Sequence, residues 1–339
     1  MKTALGGHPE GHEERGRTVP RPVILGIVGD SAAGKTTISG GLVDILGEEQ
    51  VTHIGTDDYH KYDREERKEH NITPLHPDCN YMDIIAQHLS LIREGEPILK
   101  PVYKHADGTF GPPEYIRPKA FAVVEGLLGY HTEGLRDSYD VRVYLAPPED
   151  LRRKWKVKRD TSKRGYTEEG VLEDLEKREP DSAQFIRPQE RYGDLVIKFM
   201  ESESGDPDNL DAQVILRDTL PHPDLSPFLD KSDRGITLIE EGPDPYVRIP
   251  GNVKHEHAEE IQESIWEALH FASHLRSERL GEFSVGDEVK RSDSLALVQL
   301  LVLYHLVTAR AAVALGGEGA RSEDKAAGES DEDGSEKDA

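Results

Sequence analysis

Cysteine is nearly missing from this chain: Cys79 is the only one in 339 residues. That excludes an internal disulfide and a thiol switch within one chain, and it fits a reducing cytosol. Basic charge is scarce too. Lys and Arg number 42 against 66 Asp and Glu, a formal net charge of -24. Nucleic acid and anionic membrane surfaces are therefore poor partners, and an anionic substrate must be captured by local cationic clusters. The acidic excess leaves two readings open, adaptation to high salt or an ordinary acidic cytosolic enzyme, because salt at molar strength screens repulsion within a few ångströms. Residues 1–20 lack the apolar centre of a secretory signal and read as a flexible lead-in. No NKxD-type guanine reader occurs, which disfavours a GTPase.

Long apolar runs are equally rare, with one exception. Leu295 to Leu315 is long enough to cross a bilayer, but Gln299, His305 and Arg310 interrupt it. Those residues are costly in lipid and tolerable in a packed interior, so a helix buried in a core or subunit interface is expected. The stretch after it, 316–339, has almost no large apolar residue and is expected to be a disordered acidic tail.

What the chain does have is GDSAAGKT, Gly29 to Thr36, fitting GxxxxGK[ST] directly after the apolar run PVILGIV. A buried strand, a sharp glycine turn and the helix ISGGLVDIL would aim backbone amides at phosphate oxygens. This pattern predicts a nucleotide cradle from Gly29, Asp30, Ser31, Ala32, Ala33, Gly34, Lys35, Thr36 and Thr37. Lys35 would reach the β and γ phosphates, and the Thr36 hydroxyl would join the shell of a magnesium ion.

Apolar segments recur at the intervals of an alternating α/β domain. PVILGIV, VTHIG, PVYKH, AFAVVEG, VRVYLA and DLVIKFM read as strands. Helices are expected after the phosphate loop, near Met82 to Arg93, Glu149 to Arg159 and Glu168 to Arg178. The turn-rich GDPDNLDAQ marks a change of architecture. After it come AQVILRDTL, GITLIEEG and PYVRIPG as antiparallel edge strands, then an amphipathic helix from His255 to Leu275. The division expected is a P-loop kinase-like core over 21–200, its sheet mixed but mostly parallel, with a lid near 159–167. A C-terminal extension of edge strands and helices follows over 201–315.

About twenty residues beyond the phosphate loop, a strand ends in TDDYHKYDREER, placing Asp57, Asp58, His60, Asp63 and Arg64 at the carboxyl edge where α/β sheets bind ligands. A carboxylate there can take the proton of an attacking hydroxyl, hold magnesium or cap the next helix. An arginine one turn later can pair with a second phosphate. Glu125 closes AFAVVEG, where a P-loop kinase's acidic residue meets magnesium, directly or through water. The basic run RRKWKVKRDTSKRG, Arg152 to Gly165, reads alone as a solvated helix face. Its end suits a helix leading into a short loop with Arg159 and Arg164, a lid that closes over the triphosphate and excludes water.

TDDYHKYDREERK, TPLHPDCNYMD, KPVYKH, PPEYIRP, VVEGLL, WKVKRDTSKRGYT and IRPQERYGDLVI together resemble the phosphoribulokinase family, particularly its plant and cyanobacterial branch. The likeness runs from about Val23 to Met200, and weakly from Glu256 to Phe283. It implies transfer of the ATP γ-phosphate to O1 of ribulose 5-phosphate with magnesium. It makes Asp57 the general base, which with Thr36 and Glu125 completes the expected metal set. It sets His60, Arg64, Tyr103 and His105 on the substrate side. Lys156 and Arg159 would face phosphates, Asp160 would be catalytic or metal-linked, and Arg164 would contact the sugar phosphate. A cytoplasmic enzyme is expected, with the C-terminal extension helping to make a homodimer. Uridine or another sugar phosphate remains open as the acceptor, and so does a catalytically silent nucleotide-binding regulator. Ala33 and Gly55 stand where plant members carry regulatory cysteines, so thiol-dependent regulatory complexes are not expected. Leu128 replaces a family histidine, whose role is lost or passes to another residue such as His131. Glu201 to Pro250 aligns poorly.

Overall fold

The computed structural model describes residues 20–203, 205–229, 235–240, 244–275, 277–285 and 288–321. The expected lead-in, except Pro20, and the acidic tail from 322 onward lie outside the described residues, as do the side chains of residues 163 and 164.

The centre is a strand with no polar side chain, β1 (Val23–Gly29), buried along its whole length. It lies between the parallel strands β5 (Phe121–Gly126) and β6 (Val141–Leu145), with β2 (Val51–Gly55) beyond β5 and β7 (Leu195–Met200) beyond β6. Strands covered on both faces read as near-continuous apolar runs, which is why these segments stand out in the sequence. The sheet continues antiparallel through β8 (Asp211–Leu216), β10 (Tyr246–Ile249) and β9 (Thr237–Ile239), giving the order β2-β5-β1-β6-β7-β8-β10-β9. The mixed, mostly parallel sheet flanked by helices is the expected fold class.

The two-residue alternation of β1 divides the core. Val23, Leu25 and Ile27 face a layer that includes α1 (Lys35–Leu46), α7 (His255–Ala268) and α8 (Asp293–Ala314), while Ile24 and Val28 face α3 (Met82–Arg93) and the small α4 (Glu133–Arg136). The helix α8 is long and apolar enough to span a membrane, yet 72% of its most apolar window is buried inside this fold. Its three interrupting residues find partners there. Gln299 accepts from the Gly281 amide (2.8 Å), His305 bonds the Leu301 carbonyl (2.6 Å), and Arg310 donates to the Arg21 carbonyl (2.6 Å).

Several expectations need correction. The strand read at PVYKH is longer, β3 (Ile98–Lys104), and pairs with an unanticipated β4 (Thr109–Ile116) in a separate hairpin. Two prolines and a glycine disguise β4, which a two-stranded ribbon tolerates on its open edge. A second hairpin, β11 (Glu282–Val285) with β12 (Glu288–Arg291), is too polar to show an apolar pattern. The helix expected from His255 to Leu275 ends as α7 at Ala268, and a separate 3-10 turn spans His270–Leu275. The first residues of the acidic tail are tied down rather than disordered: Arg321 pairs with the buried Asp194 at 2.8 Å.

Candidate active site

All functional elements gather at the carboxyl edge of β2, β5 and β1. After Gly29 the chain turns through Asp30 to Gly34, with Ala32 at φ 66° and Gly34 at φ 96°, both left-handed. Gly34 tolerates that geometry without strain, and α1 starts immediately after it. No side chain caps this helix and its first turn carries no acid, so its amides remain available to an anion. The Lys35 ammonium folds over the loop, donating to the Gly29 and Asp30 carbonyls at 2.8 Å each. Burial lowers its pKa against the opposing pull of Asp57, Glu125 and Asp30.

Glu125 is the register partner of Ile27 on β1 and of Gly55 on β2, which centres it beneath the loop. Its two carboxylate oxygens accept from Thr36 (3.3 Å) and Ser39 (2.8 Å), and His53 stands 3.6 Å away. Thr36 and Glu125 thus form a pair of hard oxygens suited to magnesium. Among the described residues no group of three or more His, Cys, Asp or Glu side chains forms a metal cage. A magnesium ion here would therefore draw the rest of its shell from phosphate oxygens and water, as nucleotide sites do.

The two adjacent acids differ. Both lie on a 3-10 turn, Thr56–Tyr59, that follows β2. Asp58 turns away from the loop, accepting from the Tyr103 amide (2.9 Å) and the Lys100 ammonium. Asp57 is 42% exposed at its side chain and stands 3.9 Å from the His105 imidazole. Neither caps a helix. Asp63 does so for α2 (Arg64–Glu69), in a capping box closed by Glu66.

Around Asp57 lies a ring of aromatic and cationic groups. Burial lowers the pKa of His60 against the opposing hydrogen bond with Asn80 (2.8 Å), and its ring meets Tyr103 edge-on at 5.0 Å. Tyr103 in turn meets His105 at 5.1 Å. Arg64 donates to the His105 carbonyl (2.7 Å), holding α2 against the β3–β4 hairpin. Sequence reasoning passed over Arg67, one turn on, which donates to the Tyr103 hydroxyl at 2.5 Å and lies over its ring.

On the other flank, α5 (Glu149–Arg164) and α6 (Glu168–Asp181) rest on the phosphate loop. Helix α5 runs past Arg159 and Asp160, correcting the expectation that Arg159 lies in a loop. Nothing in RDTSKR breaks a helix, and the chain turns only at Gly165, φ 70°. Arg159 donates to Asp160 (2.8 Å) and reaches the Ser31 hydroxyl at 3.4 Å. Lys156 is buried, 2.9 Å from Asp160 and 3.8 Å from Asp174. Burial and Arg178 lower its pKa. Burial alone would raise the Asp160 pKa, but hydrogen bonds from Arg159 and Lys156 prevail and bring it to about 2. Arg152, counted in the sequence only as part of a basic run, proves to be the anchor. Its guanidinium donates to the Ser31 carbonyl (3.0 Å) and stands 3.4 Å from Asp30. A small cleft remains between these helices and the loop, lined partly by Ser31, Arg152, Lys156 and Arg178. Whether Arg164 joins them falls outside the described side chains. His131 sets its ring edge-on to Phe185 at 6.0 Å.

Residues 24–204, just over half of the sequence, match the phosphoribulokinase / uridine kinase family. The chain belongs to that family. Among its relatives, a phosphoribulokinase of Synechocystis sp. is 39% identical over 180 residues, 53% of this chain and 54% of that protein. A uridine kinase of Chloroflexus aggregans is 31% identical over 182 residues, 52% of this chain and 86% of that protein. The chain spans about half the length of the curated phosphoribulokinases it matches. A solved phosphoribulokinase from Rhodobacter spheroides shares the fold with a TM-score of 0.54, at 18% identity over 75% of this chain and 99% of that one. Every P-loop, Asp57, Glu125 and α5 residue named above falls inside the stretch that matches the phosphoribulokinase / uridine kinase family.

Proposed function

We propose that this chain is an ATP-dependent phosphoribulokinase, which transfers the γ-phosphoryl group to the O1 hydroxyl of ribulose 5-phosphate and releases ADP and ribulose 1,5-bisphosphate. The observation that carries it is the opposition of two arrays across Asp57: the loop of Lys35 and Thr36 on one side, and the His60, Arg64, Tyr103 and His105 ring on the other. A phosphorylated acceptor suits the arginines, and the 39% identity to a phosphoribulokinase favours the same substrate.

The amides of the loop and Lys35 would hold the triphosphate, and Thr36 and Glu125, with Asp57 nearby, would hold a magnesium ion. When bound, that ion neutralises charge on the phosphate oxygens. Asp57 takes the proton of the O1 hydroxyl as its oxygen bonds to the γ-phosphorus, and the bond to the β–γ bridging oxygen breaks to release ADP. Lys156 and Arg159 meet the charge that builds on the transferring group. Asp160 keeps those two cations in place. Arg159 and Arg152, seated on Ser31, exclude the water that would otherwise accept the phosphoryl group. The chain would work in the cytoplasm on a soluble sugar phosphate, as a homodimer that uses its C-terminal half.

A second reading has an observation of its own: the uridine kinase relative is matched over 86% of its length. Coupled ADP release with ribulose 5-phosphate, ribose 5-phosphate and uridine, each with magnesium and ATP, separates the two. Ribulose 5-phosphate is expected to give a kcat/KM at least tenfold above the others. Preference for uridine would replace the proposal with the second reading, and no turnover of any acceptor would favour the silent regulator.

A further inference from the structure

Lys100 is a charged residue in an unusual place. It sits on β3 with its side chain only 7% exposed, and burying an ammonium group is costly unless it is paired. Its partners are specific. The Nζ donates to the Asp58 carboxylate and to the Pro101 carbonyl (3.2 Å), and Glu114, directly opposite on β4, stands 3.5 Å away. The other oxygen of Asp58 accepts from the Tyr103 amide on the edge of β3 that β4 leaves open. One carboxylate, 19% exposed, is thereby held at both ends by a single strand.

That strand also carries Tyr103 and leads directly into His105, and the turn that carries Asp58 carries Asp57. The hairpin ribbon β3–β4 lies outside the main sheet, so sheet pairing does not fix its distance from Asp57. We propose that Lys100 is a positioning residue: through Asp58 it clamps the acceptor-side hairpin to the turn that presents Asp57, and so sets the separation of base and acceptor. Two neighbouring acids thereby take different tasks, one as a tie and one facing the reaction. Lys100 acts on the reaction only through Asp58. This inference rests on the proposed reaction at the same site.

The test uses the full chain and K100M, with ribulose 5-phosphate and ATP. A misplaced near-attack geometry costs up to about a hundredfold, so kcat is expected to fall ten- to a hundredfold and the KM for ribulose 5-phosphate to rise, with the KM for ATP unchanged. K100R should recover most of kcat. Adding D58N to K100M should cost nothing further, since both remove one tie. If K100M does not fold, D58N alone keeps an acceptor for the Tyr103 amide while losing the ion pair, and should still lower kcat about tenfold. A parallel readout needs no turnover: hydrogen exchange over residues 98–106 should quicken in K100M and D58N relative to wild type. Unchanged kcat and acceptor KM in D58N, additive losses in the double variant, or unchanged exchange would each overturn the clamp. Failure of the wild type on every acceptor would instead remove the reaction assignment, and the exchange measurement would still decide the clamp.

Discussion

The two flanks of Asp57 hold their cations differently. On the phosphate side, Lys35 rests on backbone carbonyls of the loop and Arg159 touches a loop hydroxyl, contacts that an arriving phosphate can take over, while Arg159 also pairs with Asp160 and Arg152 with Glu149. On the acceptor side, Arg67 is held by the Tyr103 hydroxyl and Lys100 by Asp58, side-chain pairs that leave little to exchange, while Arg64 rests on the His105 carbonyl. Lys35 is thus placed to be re-paired by its ligand, and Lys100 and Arg67 to stay as they are. Interchangeable ligands make catalytic electrostatics, whereas fixed pairs make geometry.

Four experiments probe this contrast, from the largest expected effect to the smallest. Lys35→Met removes the cation that leaves its carbonyls for phosphate, and kcat/KM for ATP should fall by about a thousandfold in steady-state assays, the upper scale for losing one stabilising donor. A loss under about tenfold would mean that the ammonium stays on Gly29 and Asp30 during turnover. Asp57→Asn, between the flanks, should lower kcat by at least about a hundredfold while titration calorimetry still detects nucleotide binding. Wild-type turnover in that variant would end its assignment as the base. Arg159→Lys keeps charge but loses the fork that spans Asp160 and Ser31, and should lower kcat about tenfold with acceptor KM little changed. A rise in acceptor KM alone would move Arg159 to the other flank.

The fourth concerns pH. The folded-state pKa of Asp160, about 2, lies below its ordinary value of 3.8, so its ionisation favours the folded chain above the ordinary value. That contribution is lost as pH falls from about 4 through about 2. Asp160→Asn should therefore be less stable than wild type in urea melts at pH 7, with the gap narrowing as pH drops through that window. A gap that holds constant with pH would show that the pair with Lys156 and Arg159 contributes no net charge interaction.

How much of this was legible in the sequence depends on what each element buries. β1, β2, β5, β6 and β7 announced themselves because both faces are covered, and α3 matched its expected span of Met82–Arg93 because one face is. The hairpin of β3 and β4 left only a fragment to read, since β4 is mostly exposed and carries two prolines and a glycine. Within the site, Lys35, Thr36 and Glu125 could be placed from motif and strand order alone. The partition of Asp57 from Asp58 could not, because it depends on a lysine 42 positions further along the chain. Arg152 and Arg67 likewise looked like ordinary surface charge until Ser31 and Tyr103 came to lie beside them.

The depth at which α8 is embedded has a consequence for how the protein is made. This helix covers the face of β1 that presents Val23, Leu25 and Ile27, and Gln299 on it approaches the Thr37 carbonyl of the helix that begins at Lys35. During synthesis from the N-terminus, the nucleotide cradle therefore emerges long before its own underside can be sealed. A fragment stopping near residue 204 would contain nearly every residue discussed for the chemistry and still expose a bare aliphatic surface, prone to clump rather than to work.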